Sequence, residues 1–457
     1  MHIRRSVTDF SRRHFLEQLA GGVCTSGVLM PLWRAIAANG DVSRAYPDEL
    51  LSIEQYTDGR LKPGDVVDAS NVEQVRRLLD PIRYLQVATM GRRLELVQTV
   101  TDVTLLEPLD YLEATLRNRG RARFDETGNV VTDSGAPWIG GNPFPDPQNG
   151  LEVFAGITLS WGRHDISLYP IHEYDIDPEG NVIFAYQLVW VELAPVGRVT
   201  VDPKPYWPGH EDKLRYQSTF FLSPEDVAGT AFLNIWPYDQ RKFPELLGYL
   251  PNFKRVRRLP TDQRFEPLVP GSTLYLSDAW AAGDPFLTWG NYRIVGRGPF
   301  LGGVSDNWNS SDRNWAGGVH GGQKGLTFWN TRVQLVPEAI VVDAEPVMFP
   351  RAPISKKRVW FDARTLLPLA MVSYDRRGKI YRSFDAVYSR YQDDRNRVMD
   401  GRNVYWSWCR VHSHDVQTNR LTRLEQVRAV KGYEMRVNDQ SVYARFLTEA
   451  ALRRLGE

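Results

Sequence analysis

The sequence has few of the residues that build cofactor and metal centres. Its 457 residues include 8 His and only 2 Cys, Cys24 and Cys409. If the N-terminal segment is removed as argued below, Cys409 is the single cysteine, which excludes an intrachain disulfide. One thiol and the six remaining histidines offer no framework for an iron–sulfur cluster, a haem or a thiolate-bound metal. We therefore expect no cofactor.

The short motifs by which common enzymes are recognised are also missing. There is no Gly-x-Ser-x-Gly elbow, no phosphate-binding P-loop, no dinucleotide glycine fingerprint and no His-Glu-x-x-His sequence. These absences remove the hydrolase, nucleotidase and metalloprotease classes that are most easily seen in a sequence. They do not remove every enzyme.

Neither one sign of charge nor a long apolar run dominates the chain. It has 56 Lys and Arg against 55 Asp and Glu, a formal net charge of +1. Without a long basic block, nucleic acid is not expected as the main partner. No apolar run reaches the roughly 18 residues that a membrane-spanning helix needs, so the mature chain should be soluble.

The N-terminus resembles an export signal. Residues 11–16 read Ser-Arg-Arg-His-Phe-Leu, like the twin-arginine signal of bacteria, and a weakly apolar stretch follows at 15–33. The small-x-small pattern Ala35-Ile36-Ala37 predicts cleavage after Ala37 and a free periplasmic protein. Cys24 does not fit a lipid-attachment site because Val23 precedes it. The alternative is a basic N-terminal helix on a cytoplasmic protein.

The mature chain is expected to form an extended lead-in at 38–66 and a single domain at 67–457. Ser70 and Glu73 form a capping box, and the apolar residues behind them predict an amphipathic helix over 71–80 that Pro81 ends. Residues 134–150, rich in Pro and Gly, predict an irregular loop. From about residue 151 onward the pattern indicates β-structure.

Alternating apolar residues predict strands joined by hairpins. Strands are expected at 182–190, 216–222, 231–236, 255–259, 358–362, 367–374 and 379–388. Residues 375–378 predict a hairpin turn, 223–226 a helix start, 301–325 a Gly-rich loop, and the residues after Thr448 a short helix. The fold class is therefore mainly β (α+β), a large, strongly curved antiparallel sheet with a few helices against one face.

Two groups of histidines are candidates for metal binding or catalysis. His412 and His414 share a face if 412–415 is a strand, and a third group could complete a metal site. A solvated strand end is the alternative. His320 lies in a Gly-rich segment where backbone could approach a ligand, or in a surface loop.

Acidic residues supply weaker candidates. Asp175 begins a segment that imitates a calcium loop, but a hairpin turn at 177–181 explains it better. Glu152, Asp165, His164 and His172 are conceivable acid/base partners, although nothing in the sequence fixes their distances. We assign no catalytic or metal residue.

Basic and aromatic residues supply the ligand-binding candidates. Arg255 and Arg257 lie in a run of positive charge at 254–258 that could hold an anionic head group, or form an exposed edge strand. Aromatic residues make up 12% of the chain. They predict either a dense core or a curved sheet that encloses an apolar cavity.

One face of the 182–190 strand is the predicted lining of that cavity. Its large residues are Phe184, Tyr186, Leu188 and Trp190, and we expect Phe220 to join them. A curved sheet turns one face toward its concave side. The larger residues could equally lie on the convex side under the helices.

Several segments together resemble one family of exported bacterial proteins. They are residues 141–145, 150–152, 223–229, 255–258, 357–362, 374–381 and 452–456. The family is domain-of-unknown-function family 1329, which is similar to the periplasmic lipoprotein carrier LolA and its receptor LolB. The resemblance implies a half-open β-barrel with helices closing its mouth around a lipid-sized cavity. It also implies partnership with a resistance–nodulation–division type exporter and an outer-membrane protein.

The leading hypothesis for function is a periplasmic carrier or binding protein for a lipid or other hydrophobic molecule. One alternative is a periplasmic enzyme of unfamiliar type, with its site at the barrel mouth near His412, His414 or the 301–325 loop. The other is a structural adaptor in an envelope assembly, which requires an exposed apolar patch rather than a cavity.

Overall fold

The structure is a computed structural model, described here at residues 43, 46–160, 162–261, 264–267, 269–278, 284–304, 312–391, 398–400 and 403–456. The expected signal segment at 1–37, with Cys24, lies outside these residues. Residues 305–311 of the expected Gly-rich loop also lie outside the described residues. None of the helices in the described ranges combines the length and the apolar character needed to cross a bilayer.

Six α-helices and five short 3-10 helices accompany the sheet in the described ranges. The α-helices are α1 Ile53–Tyr56, α2 Pro81–Thr89, α3 Leu109–Asn118, α4 Gly150–Leu159, α5 Val442–Phe446 and α6 Glu449–Gly456. The 3-10 helices are Asp48–Leu50, Val72–Leu78, Val103–Leu105, Pro251–Phe253 and Phe286–Thr288.

Strands account for most of the regular structure. The first twelve are β1 Val66–Val67, β2 Leu94–Val97, β3 Ala122–Phe124, β4 Val130–Thr132, β5 Ile166–Ile176, β6 Val182–Leu193, β7 Lys213–Ser223, β8 Ala231–Pro237, β9 Glu245–Leu250, β10 Arg255–Leu259, β11 Gly290–Val304 and β12 Val319–His320. The others are β13 Phe328–Trp329, β14 Thr331–Glu345, β15 Ile354–Asp362, β16 Pro368–Asp375, β17 Ile380–Arg390, β18 Met399–Asp400, β19 Asn403–Val404, β20 Trp406–Asp415, β21 Arg420–Gln426, β22 Ala429–Val430, β23 Tyr433–Glu434 and β24 Arg436–Val437.

Sixteen of the described strands form one large curved sheet. Its main path runs β1-β2-β14-β15-β16-β17-β20-β21-β5-β6-β7-β8-β9-β10, while β11 pairs with β14 and β17, and β24 pairs with β5. Most neighbours are antiparallel, but β2 runs parallel to β14 and β11 is parallel to β17 at its end. The sheet is therefore mixed, and it curves without closing into a barrel because β1 and β10 remain its two ends. The mainly β fold class is confirmed.

The two faces of the β5–β6–β7 region pack against different partners. On one face Val189, Val191 and Phe220 form a cluster with Phe446 and Leu452 from the C-terminal segment. The other face contributes Tyr169, Leu188 and Phe221 to the main core, which also contains residues of α4 and of β14–β17. Alternation of side chains along each strand produces this division. The C-terminal helices thus cover the face opposite the main core.

The strands expected from alternation are confirmed, and most are longer than predicted. The expected 182–190 strand extends to Leu193, and the expected 216–222 strand runs from Lys213 to Ser223. The hairpin turn at 375–378 is also confirmed. Gly378 donates its N–H to the Asp375 carbonyl at 2.9 Å and has φ of +75°, which glycine adopts without a Cβ clash.

The expected helix over 71–80 is a shorter 3-10 helix at Val72–Leu78, and its predicted cap is wrong. The Ser70 hydroxyl bonds to Asp68 and does not cap the helix. Pro81 does not merely end this element, since it is the first residue of α2. Asp80 caps α2 by accepting N–H bonds from Ile82 and Arg83, at 3.0 and 2.9 Å. Proline fits this position because the first helical N–H has no intrahelical partner.

Three further expectations are corrected. No helix starts at 223–226, because Ser223 ends β7 and the residues after it form a turn that leads to β8. Residues 150–159 form a helix, α4, so continuous β-structure begins at β5. The Gly-rich segment does not begin as a loop, because residues 301–304 belong to the long strand β11. In that strand a Gly302 side chain would clash with Val336 and Leu369, so the glycine permits close packing.

Candidate functional site

An apolar cavity of about 110 Å³ lies on the main-core face of strands β5, β6 and β7. Its lining consists of Tyr169, Ile171, Glu173, Leu188, Trp190, Thr219, Phe221, Val269, Ser272, Leu274, Tyr275, Leu276, Phe384, Trp408, Val411 and Leu424. The side chains come from β5, β6, β7, β17, β20 and β21 and from the segment 269–276. We call that segment the cover segment.

Strand register brings these residues to one face. Directly opposed residues in an antiparallel pair share a face. Tyr169 pairs with Trp190 and Ile171 with Leu188 across β5 and β6. Leu188 then pairs with Phe221 across β6 and β7. The lining is thus a contiguous patch built by two hairpins.

A bulge extends the patch onto β20. Trp408 and Val411 are three positions apart and would lie on opposite faces of a regular strand. The pairing of β17 with β20 shifts between Val387 and Tyr388, which are opposite Arg410 and Trp408. The extra residue on β20 turns Trp408 to the same face as Val411. Sequence alternation does not reveal such a shift.

Two of the residues predicted to bind ligand, Leu188 and Trp190, line the cavity. Phe184 and Tyr186 lie further along the same face of β6, with ring centroids 5.9 Å apart, outside the cavity lining. The Tyr186 hydroxyl donates to the Pro270 carbonyl at 2.7 Å, and therefore holds the cover segment.

Phe220 does not share this face, so that expectation is wrong. It pairs with Val189 across β6 and β7, and its ring stacks on Phe446 with centroids 5.6 Å apart. Even-numbered residues of β6 oppose odd-numbered residues of β7, which places Phe221 in the cavity. Position parity within one strand does not fix the face of a residue in the next strand.

Arg255 and Arg257 lie on β10, at one end of the sheet, and both are exposed. The Arg257 guanidinium lies 4.4 Å from the centre of the Phe253 ring. Neither arginine lines the cavity. The structure therefore separates the predicted basic residues from the predicted apolar ones.

Hydrogen bonds to strand residues fix the cover segment over the cavity. Thr273 donates its N–H to the Thr422 hydroxyl at 2.7 Å and its own hydroxyl to the Ser413 carbonyl at 2.9 Å. Gly271 turns there with φ of +86°, and a side chain at this position would overlap the Phe184 ring. The cover segment has no apolar period, so the sequence gives no sign that it closes a cavity.

Two buried carboxyl groups, Glu173 and Asp175, stand on the cavity face of β5. Burial raises the pKa of Glu173 well above its usual value, against the opposing effect of a Ser272 hydrogen bond. Burial also raises the pKa of Asp175, and the neighbouring Glu173 raises it further. Sequence reasoning missed Glu173. The sequence pattern that could have identified it is two acidic residues at alternate positions, 173 and 175, on an otherwise apolar strand face.

The histidine pair is buried in a polar network and is not solvated. The His412 Nε2 accepts the Trp329 N–H at 2.9 Å, which leaves Nδ1 to donate to Asp385 at 3.1 Å. Burial, reinforced by the positive charge of Arg92, lowers the pKa of His412 to about 3. His414 contacts the Gln86 amide at 3.1 Å. The solvated strand end is wrong, because both side chains are buried. The candidate metal site gains no support, since the described residues include no group of three or more metal-binding side chains.

Three of the other candidates, Asp165, Glu152 and His320, accept hydrogen bonds from backbone N–H groups. Asp165 accepts N–H bonds from Val199, Thr200 and Val201 at 2.7–2.9 Å. Glu152 accepts the Gln148 N–H ahead of α4. His320 Nε2 accepts the Arg93 N–H at 2.8 Å. Each of these side chains already has a structural role.

A smaller, polar cavity of about 50 Å³ lies near α4. His164 and Asp165 line it together with Arg163, which forms an ion pair with Glu107 at 2.9 Å. The charged groups around it are largely paired or bonded to backbone.

Cys409 is buried, its pKa is raised to about 12 by burial, and its thiol donates to the Val387 carbonyl. A thiol in that state is a poor nucleophile.

Comparisons with known proteins identify relatives of the chain. Solved structures similar to it include a DUF1329 family protein from Desulfovibrio piger, with 14% identity, 66% of this chain and 97% of that chain covered, and a TM-score of 0.43. Another is a putative outer membrane lipoprotein-sorting protein domain from Vibrio parahaemolyticus, with 18% identity, coverage of 67% and 98%, and a TM-score of 0.40. A LolA superfamily protein from Nitrosomonas europaea has 11% identity, coverage of 66% and 100%, and a TM-score of 0.35.

A comparison with curated proteins finds no match. The model of one family, described as protein of unknown function (DUF1329), matches residues 66–453. That match includes the strands, the cavity lining and the cover segment. The chain belongs to the DUF1329 family.

Proposed function

We propose that this protein is a periplasmic carrier or binding protein for a lipid or other hydrophobic molecule, and that the ligand occupies the apolar cavity. One observation carries the proposal. Fifteen of the sixteen lining residues are uncharged, and most are aromatic or aliphatic. Protein interiors rarely leave a space of this size empty, and an apolar cavity that holds no water binds apolar molecules.

The size of the cavity limits what enters without a change in structure. A space of about 110 Å³ suits a benzene-sized group or a short length of alkyl chain. A longer molecule needs the cover segment to move. That segment is held by a few hydrogen bonds, to Tyr186, Thr422 and Ser413. Burial of each CH₂ contributes about 0.8 kcal/mol, so a few carbons offset the loss of one such bond.

The proposed export route rests on the N-terminal sequence, and the proposed partners rest on the family resemblance. We propose export by the twin-arginine pathway, directed by Arg12 and Arg13, with cleavage after Ala37. We also propose that the protein serves an envelope transport system that includes a resistance–nodulation–division type exporter and an outer-membrane protein. Arg255 and Arg257, exposed on the edge strand β10, are the groups that would meet an anionic head group or membrane surface.

Native mass spectrometry of the protein purified from the periplasm tests the binding function. We expect an adduct whose mass matches a lipid or another apolar compound, and uptake of the neutral fluorescent probe N-phenyl-1-naphthylamine by ligand-free protein. Protein that carries no adduct and takes up no probe would refute the proposal.

Two adjacent residues of β6 provide a matched pair of variants. Leu188 lines the cavity, whereas Val189 is buried on the opposite face. Leu188→Asn and Val189→Asn both bury an amide without a designed partner, at a cost of about 1–3 kcal/mol each. Only Leu188→Asn should weaken probe binding. Equal binding by the two folded variants would exclude this cavity as the site.

A further inference from the structure

The cavity contains one ionisable acid and no base. Glu173 is the acid, and none of the described lining residues is Lys, Arg or His. Its side chain is buried, with 5% of the residue exposed. An apolar binding site does not need a carboxyl group, and burying one is unfavourable unless it has partners. The position of Glu173 therefore requires an explanation.

Several other buried carboxyl groups in the protein have an arginine beside them. Asp385 lies 2.6 Å from an Arg92 nitrogen, and Glu107 lies 2.9 Å from Arg163. Within the described residues Glu173 forms no such ion pair. Ser272 hydrogen-bonds to its carboxyl group, but the Oε1 atom accepts no hydrogen bond. The contrast indicates that Glu173 lacks a partner that this fold supplies elsewhere.

Asp175 adds a second carboxyl on the same face of β5, about 7 Å along the strand from Glu173. One oxygen accepts the Thr422 hydroxyl, and the other, Oδ2, accepts no hydrogen bond in the described part of the chain. Arg420 acts on Asp175 only as a more distant charge. The end of the cavity beneath the cover segment is thus acidic.

Aromatic rings surround the rest of the cavity. The rings of Tyr169 and Trp190 stack with centroids 6.5 Å apart, and Trp408 meets Tyr169 edge-on at 5.8 Å. The faces of such rings attract organic cations, most strongly where water is excluded. Aromatic walls with an adjacent carboxyl group are a chemical environment that favours an ammonium group.

We infer that the ligand is an apolar molecule with one cationic amine, and that the amine pairs with Glu173 while the apolar body fills the aromatic cavity. This inference rests on the proposed function, since it names the class of molecule that the cavity takes. It also predicts that the protein discriminates between ligands by the charge of their head groups. The carboxylate of a fatty acid would face Glu173 without a basic partner, so fatty acids should bind weakly.

A neutral alcohol is the competing class, because a hydroxyl group also donates a hydrogen bond to Oε1. Ligands of equal chain length separate the two. Octylamine, octanol and octanoate each contain eight carbons and differ at pH 7 in the charge of the head group. Each is titrated against the mature protein loaded with N-phenyl-1-naphthylamine, and displacement of the probe gives the affinity.

We expect octylamine to displace the probe at a concentration at least tenfold lower than octanol, with octanoate weakest. In Glu173→Gln the preference for octylamine over octanol should disappear, while the probe and octanol still bind. Glu179→Gln is the matched control, because Glu179 is an exposed carboxylate in the turn after β5. It should retain the parental order of affinities.

Several outcomes overturn the inference. Equal affinities of the parent for octylamine and octanol would show that Glu173 binds a neutral hydroxyl group. Tighter binding of octanoate would show that the site favours a negatively charged head group. An amine preference that survives in Glu173→Gln would place the cation elsewhere. If Glu173→Gln does not fold, the order of affinities in the parent still tests whether the site prefers an amine. If the parent binds no probe at all, the proposed function itself fails.

Discussion

Filling the cavity should stabilise the protein and abolish binding. Val411 on β20 lines the cavity and is buried, so Val411→Phe projects an aromatic ring into the empty space. An unfilled cavity costs about 24 cal/mol per Å³, so the 110 Å³ present here corresponds to about 2.6 kcal/mol. A phenyl ring fills only part of this volume. We expect the free energy of unfolding to rise by about 1–2 kcal/mol.

The control is the same substitution on a packed face. Val189 on β6 is fully buried in the C-terminal cluster, on the face of the sheet opposite the cavity. Val189→Phe therefore overpacks the structure and should lower the free energy of unfolding by about 1–3 kcal/mol. Urea denaturation followed by circular dichroism measures both variants, and titration with N-phenyl-1-naphthylamine measures binding.

The two variants should separate in both assays. Val411→Phe is expected to be more stable than the parent and to bind no probe, whereas Val189→Phe is less stable and binds normally. The reasoning is refuted if Val411→Phe is destabilised by as much as Val189→Phe. It is equally refuted if Val411→Phe retains the parental affinity for the probe.

Three further predictions concern titration, the buried polar network and export. The pKa values of Glu173 and Asp175 are raised in the folded state, so the folded protein holds their protons more tightly than the unfolded chain does. Their contribution to the free energy of unfolding is therefore fully present below about pH 4. It is lost as the pH rises through the pKa values of the folded state. Glu173→Gln should therefore reduce the fall in unfolding free energy between pH 4 and pH 8, by up to about 1.4 kcal/mol per pH unit; parallel pH profiles of variant and parent in urea titrations would contradict this. Asp385→Ala leaves Arg83, Arg92 and His412 without their shared carboxylate and should cost about 3–5 kcal/mol, whereas a loss below 1 kcal/mol would show that the network contributes little. Arg12→Lys with Arg13→Lys should leave the precursor in the cytoplasm on cell fractionation, and normal delivery to the periplasm would exclude the twin-arginine route.

The sequence predicts the strands of this fold better than it predicts the faces they share. Alternation along β6 correctly places Leu188 and Trp190 on one face, because that pattern is local. The face of Phe220 depends on the register between β6 and β7, which no local pattern records. Pro81 shows a similar limit, since proline both ends one helix and begins the next.

Sequence reasoning missed the cover segment and Glu173 for different reasons. Residues 269–276 have no apolar period, and tertiary contacts place them over the cavity, among them hydrogen bonds to Tyr186, Thr422 and Ser413. Glu173 is one of two acidic residues in β5, and acidic residues are usually exposed. Its burial follows from the long-range pairing of β5 with β6 and β21.

Photocrosslinking most directly tests the central claim that the ligand occupies the apolar cavity. A diazirine-bearing alkyl amine is bound to the mature protein and irradiated, and the modified residues are located by peptide mass spectrometry. Crosslinks should concentrate on residues 169–173, 188–190, 219–221 and the cover segment, and an excess of octylamine should prevent them. Crosslinks confined to the C-terminal face, around Phe446 and Leu452, or labelling that octylamine does not reduce, would contradict the account.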